Sequence, residues 1–94
     1  MDVLVRIKRL IVARRVRFTT KATEERERDG LTVEDVLESI LNANAIKKVL
    51  RSRSPRRRRA GEHLYVIESP TFMGTWVYSK GTIFYVFVSA KLAN

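Results

Sequence analysis

Thirteen consecutive residues, Lys47 to Arg59, read KKVLRSRSPRRRR and carry eight positive charges with no negative one. No small fold can bury such a run, because an unpaired charge in an apolar interior is prohibitively costly and neighbouring like charges repel. It must lie in water or against a polyanion, so the residues before and after it have to build the core. The whole chain has a formal net charge of +9, which leaves 9 − 8 = +1 outside the run. A nucleic acid is the polyanion that suits it, since each neutralised phosphate releases condensed counterions. A solvated loop with no partner is the plainer alternative.

Ninety-four residues make one domain, 1–94, with a helical part (1–44) and a sheet part (45–94) that contains the basic loop 51–61. Hydrophobic residues at 45% and aromatics at 9% suffice for a packed core. There is no cysteine, hence no disulfide framework, thiolate nucleophile or zinc-finger spacing, and His63 is the only histidine. No metal site and no small-molecule cofactor is expected, and no glycine loop for nucleotides or nucleophile elbow is present. The N-terminal VLVRIKRLIVARR is too short in its apolar run, and too interrupted by charge, for a signal peptide or a span. A basic membrane-surface helix is the alternative for that stretch, but its apolar face lasts only three turns. The expectation is a cytoplasmic protein with no membrane partner. Residues 1–21 hold seven basic side chains against Asp2, a net of +6, whereas residues 24–38 hold seven acids against Arg26 and Arg28, a net of −5. That asymmetry predicts a basic side and an acidic side.

Val3, Ile7, Leu10 and Ile11 recur at helical spacing and predict an amphipathic first helix. Thr19 or Thr20 can cap a second helix through KATEERERD, with Gly30 as its left-handed stop. That helix is polar on nearly every side and must pack shallowly. Thr32 and Asp35 approximate a capping box ahead of Val33, Val36, Leu37, Ile40 and Leu41, a third helix with a wide apolar stripe. From Ile46 to about Arg53 the pattern predicts an edge strand with basic side chains. His63 to Glu68 predicts a second strand, stopped by Ser69-Pro70. Thr75 to Ser79 and Thr82 to Ala90 predict two more, joined in a tight hairpin across Lys80-Gly81. The run TIFYVFVSA is apolar on both faces and belongs in the middle of the sheet. The expected class is α+β: three N-terminal helices on one face of a small antiparallel sheet of three or four strands.

The polar side chains that these strands can present for chemistry are Lys48, Glu62, His63, Tyr65, Tyr78, Lys80 and Lys91. Metal-independent RNA cleavage needs a base for the ribose 2′-hydroxyl, an acid for the leaving 5′-oxygen and cations for the growing phosphorane charge. Each residue has a structural alternative: a surface histidine, aromatic packing of Trp76 with Tyr78, a lysine that merely ends a strand. Trp76, Tyr78 or Tyr65 can also stack unpaired bases while arginines hold phosphates.

The segments VRFTTKATEERERDGLTVEDVLESI and MGTWVYSKGTIFYVFVSAK resemble the MqsR-type toxins of bacterial toxin–antitoxin pairs, a likeness that runs from about Leu4 to Lys91. Its clearest pieces are the V-R-x-T-T-K start, the hydrophobic third helix, the V-Y-x-K strand end and the terminal V-S-x-K. The resemblance implies a RelE-like fold and an mRNA-cleaving ribonuclease that works without metal and is inhibited by a cognate antitoxin. It places the family's first-strand lysine on Lys48 (Lys47 is one register away), the tyrosine on Tyr78 and the last-strand lysine on Lys91. The family's glutamine has no counterpart, because the chain contains none; within EHLYVIE, His63 or Glu62 would replace it.

The leading expectation is an endoribonuclease toxin. Lys48 and Lys91 would stabilise phosphate charge, Tyr78 would position or protonate, and His63 or Glu62 would be the base. Lys47, Arg51, Arg53, Arg56, Arg57, Arg58, Arg59 and Lys80 would hold flanking phosphates of mRNA, with ribosomal RNA as a further partner. Such contacts fix position rather than sequence. The runner-up is a non-catalytic RNA- or DNA-binding module in which residues 47–59 are the function. A third reading makes the chain a protein-interaction partner whose arginines dock an acidic antitoxin or adaptor; a nuclear-targeting PRRRR has no other eukaryotic signal beside it.

Overall fold

A computed structural model describes residues 2–51 and 63–93. The fold is α+β, with three helices and a five-stranded mixed sheet. The elements in chain order are α1 (Val3–Val12), β1 (Arg17–Phe18), α2 (Thr20–Arg28), α3 (Val33–Leu41), β2 (Lys48–Arg51), β3 (His63–Pro70), β4 (Trp76–Gly81) and β5 (Val86–Leu92). The sheet order is β1-β5-β4-β3-β2, with β1 parallel to β5 and every other pair antiparallel.

The helices begin where local chemistry satisfies their first amides. The Asp2 carboxylate accepts from Leu4 N at 2.7 Å, and Thr19 Oγ1 accepts from Ala22 N at 3.1 Å. The Thr32 capping box is complete: Asp35 N donates to Thr32 Oγ1 at 3.0 Å and Thr32 N to Asp35 Oδ2 at 2.9 Å. Gly30 takes φ +71°, the left-handed value expected of the residue that stops α2. Ile7 and Ile11 of α1, Val36, Leu37 and Ile40 of α3, Ile67 of β3, Val77 of β4 and Tyr85 and Phe87 around β5 are buried together in one core. The Nζ of Lys8 donates to Ala43 O at 2.6 Å, placing a cation at the C-terminal end of α3 where its dipole favours one.

Several expectations are corrected. The sheet has five strands rather than three or four, because β1 intervenes between α1 and α2. Its two residues pair in parallel with Val86 and Phe87, and the Phe18 ring stacks on Phe87 at 4.4 Å. The clean division into a helical part and a sheet part fails for the same reason. Lys80 and Gly81 are not a turn; they end β4, and the chain reverses through residues 82–85, where Thr82 Oγ1 accepts from the amides of Phe84 and Val86. The second strand also runs past Ser69 to Pro70.

The helices do not all lie on one face. While α1 and α3 cover the core face, α2 packs along the free side of β5. There, beyond the two residues paired by β1, Ala90 N donates to Glu25 Oε1 at 3.2 Å and Leu92 N to Asp29 Oδ2 at 2.8 Å. Two carboxylates thus cap amides that a neighbouring strand would otherwise have taken. Glu34 pairs with Arg14, and Glu38 accepts from Phe72 N at 2.6 Å. With Asp35 in its capping box, five of the seven acids in 24–38 fasten the fold internally. The sequence's edge strand is confirmed at one margin, where β2 follows β3.

Candidate functional site

The sheet face opposite the core carries a cationic cluster assembled by register. One cross-strand row reads Glu68–Tyr78–Lys91 from β3 through β4 to β5, and the next reads Lys48–Val66–Lys80–Ser89 from β2 to β5. Directly opposed residues project to the same side and alternate residues along a strand do too. Lys48, Lys80, Tyr78, Lys91 and Glu68 therefore share one face, while Ile67 and Val77 point into the core. Neighbouring strands lie about 4.8 Å apart. The cluster fits within a few strand widths.

Lys91 reaches this face through a bulge. Gly81 pairs with Phe87 and Lys80 with Ser89, so two steps on β5 match one step on β4 and Val88 is the extra residue. Phe87 is thereby kept in the core while Ser89 and Lys91 turn to the other side. The Lys91 Nζ then sits over the Tyr78 ring, 5.4 Å from its centroid. Glu68, Tyr78, Lys91, Leu92 and Ala93 line a shallow groove there.

The electrostatics follow from this crowding. Burial lowers the Lys80 ammonium below the ordinary lysine range, and the like charges of Lys21, Lys91 and Lys48 depress it further, against Glu25. Burial raises the Tyr78 hydroxyl, and the carboxylates Glu68 and Glu25 raise it again, so it is a proton donor at neutral pH. Burial alone would raise Glu25. The Ser89 hydroxyl (2.6 Å) and the Ala90 amide, with Lys21 and Lys91 nearby, instead hold its carboxyl below the ordinary range. Glu68 Oε1 accepts from Lys47 Nζ at 2.6 Å. A phosphate entering among Lys48, Lys80 and Lys91 would relieve their mutual repulsion.

Of the residues singled out in the sequence, the fold brings together Lys48, Tyr78, Lys80 and Lys91, with Lys47 at the margin. His63 is not among them. It opens β3 opposite Arg51, three residues from Val66 and five from Glu68, and alternation turns both His63 and Arg51 to the other face. Tyr65, on that face too, packs beside the core with His63 edge-on at 6.4 Å. Arg53, Arg56, Arg57, Arg58, Arg59 and Glu62 lie outside the described residues. Trp76 and Tyr78 share the cationic face, but Trp76 is 54% exposed and is not packed as a buried aromatic.

Sequence reasoning missed Glu68, Glu25 and Lys21. Glu68 was legible in principle, because it lies two residues beyond Val66 and so alternates onto the same face. Lys21 and Glu25 are an i, i+4 pair on α2, 3.7 Å apart, and nothing local signals that α2 docks beside β5.

Comparison with protein-family models, curated proteins and solved structures gave no match. Among the described residues no helix is long and apolar enough to cross a membrane.

Proposed function

We propose that the chain is an endoribonuclease toxin that cleaves mRNA in the cytoplasm without metal, of the MqsR-like kind with a RelE-like fold, and that a cognate antitoxin restrains it. One observation supports this reading above the rest: a protonated tyrosine stands between a carboxylate and a lysine in one cross-strand row, with two more lysines in the adjacent row. In this scheme the ribose 2′-oxygen attacks the neighbouring phosphorus, the bond to the 5′-oxygen breaks, and a 2′,3′-cyclic phosphate and a 5′-hydroxyl result. Glu68 takes the 2′-proton, in place of His63 on the opposite face, and Tyr78 gives a proton to the leaving oxygen. Lys48, Lys80 and Lys91 offset the charge that grows on the phosphorane. The arginines of the basic run hold flanking phosphates.

The test is cleavage of a long RNA by the purified protein, with and without EDTA. Lys91→Ala and Tyr78→Phe are each expected to lose on the order of 10²-fold or more in rate while melting like the wild type. Full activity in Lys91→Ala, or loss of wild-type activity on adding EDTA, refutes the reading. The hydrogen bond from Lys47 to Glu68 favours one competitor, because it occupies a carboxylate oxygen that the 2′-hydroxyl would have to reach. That competitor is a non-catalytic RNA-binding module, which predicts salt-sensitive binding and no cleavage over hours.

A further inference from the structure

Tyr78 and Lys80 are not the last residues of β4 to face the cationic side. Trp76 has the same alternation, two residues before Tyr78, which at about 3.4 Å per residue places it some 7 Å further along the strand. That is comparable to the step between nucleotides in an extended strand. Its backbone is anchored on both sides: Trp76 pairs with Pro70 of β3, and its carbonyl accepts from Ala93 N at 3.0 Å. An exposed aromatic by itself means little. What distinguishes this one is its rigid mounting in line with the lysines.

We infer that the Trp76 indole is a stacking platform for an unpaired base next to the phosphate held by Lys80, Lys91 and Lys48, which makes single-stranded RNA the substrate class. The inference rests on the RNA-directed reading above and adds the strand requirement to it. The other aromatics near the sheet are placed differently. Tyr65 faces the helices, and Lys91 lies over the Tyr78 ring, whereas the indole, with Met73 in the preceding turn 91% exposed, is open to a planar ligand. Stacking tolerates any base, because every base has a π-face, so the platform selects unpaired strands without selecting sequence.

Trp76 is the only tryptophan in the chain, and its emission therefore reports on this one position. The probes are a short 2′-O-methyl oligoadenylate, which cannot be cleaved, the same strand in a duplex, and inorganic polyphosphate. The single strand is expected to quench the emission, and polyphosphate to bind without quenching. By anisotropy of a labelled single strand, Trp76→Ala is expected to weaken binding about 5- to 150-fold, Trp76→Phe less, with polyphosphate affinity unchanged. Equal quenching by polyphosphate, equal affinity for the duplex, or unchanged single-strand affinity in Trp76→Ala overturns the platform. So does quenching by none of the three. Cleavage of the ribo-oligonucleotide is scored in parallel. Quenching without cleavage removes the ribonuclease reading and leaves the platform, whereas cleavage that is undiminished in Trp76→Ala removes the platform alone.

Discussion

Glu25 offers the sharpest test of how α2 is held. One of its oxygens accepts from the hydroxyl of Ser89 and from the amide of Ala90, two residues that are both buried. Glu25→Ala would leave both donors without a partner. An unsatisfied buried polar group costs about 1–3 kcal/mol, so the pair is worth about 2–4 kcal/mol where water reaches in part. A domain of this length has a total stability of about 5–14 kcal/mol, so the loss is a large fraction of it. At about 4–8 °C per kcal/mol, the melting temperature should fall by about 8–32 °C. Glu25→Gln keeps an acceptor oxygen and should cost about 1 kcal/mol. The pH dependence has a definite sign. The fold lowers the carboxyl pKa, so its contribution is complete above the ordinary glutamate value of 4.5 and is lost as pH falls through the lower folded value. Urea titrations followed by Trp76 emission should therefore show a difference between wild type and Glu25→Gln that narrows below about pH 4. A Glu25→Ala protein as stable as wild type, or a difference from Glu25→Gln that is constant down to about pH 3, would refute the reasoning.

Three further outcomes are expected. Gly81→Ala places a Cβ 2.6 Å from two ring carbons of the fully buried Tyr85, and should lower the urea midpoint by about 1–3 kcal/mol of stability with the slope unchanged. Lys80 loses its proton below the ordinary lysine range, so RNA affinity should weaken at alkaline pH before exposed lysines titrate; Lys80→Arg should move that decline upward, and an unmoved profile counts against Lys80 as a phosphate ligand. Replacing Arg56, Arg57, Arg58 and Arg59 by glutamine should reduce the salt slope of single-strand binding by as much as about 3, at about 0.7 for each phosphate no longer neutralised. Lys48→Ala should act on turnover instead, and if both changes act alike the basic run is only a charge patch.

Local chemistry made part of this fold legible. Thr32 with Asp35, Thr19, and Gly30 each announce a helix boundary through atoms a few residues apart, and the apolar stripe of α3 needs no distant partner to be read. The margin strand β2 was legible because its basic side chains cannot sit in the middle of a sheet. The short strand β1 was not, since two residues have no periodicity and their pairing is with Val86 and Phe87, far along the chain. Lys48, Tyr78 and Lys91 were legible as polar residues of the expected strands and were singled out among them by a resemblance, whereas Glu68 needed the strand alternation and Glu25 needed the docking of α2. His63 drew attention as the lone histidine, a signal of residue type that carries no information about which face of a strand it occupies.

The two-sided apolar pattern of β5 has a more particular cause. A regular strand would set Phe87, Ser89 and Lys91 on one side, because they are successive alternate residues. Phe87 is fully buried against Phe18 and Tyr85, so the ammonium of Lys91 would then point toward the core. The sequence TIFYVFVSAK looks apolar on both faces because it contains a change of phase, not because both faces are buried throughout. Inserting Val88 as an unpaired residue reverses the alternation between Phe87 and Ser89. The same shift lets the Ser89 hydroxyl reach Glu25 and brings Lys91 over Tyr78. One added residue thus serves two demands that conflict in a regular strand: the core keeps its largest aromatics, and the opposite face receives the third lysine of its cluster. The Glu25 contacts and the Lys91 position therefore share a single structural origin, in the bulge rather than in either residue.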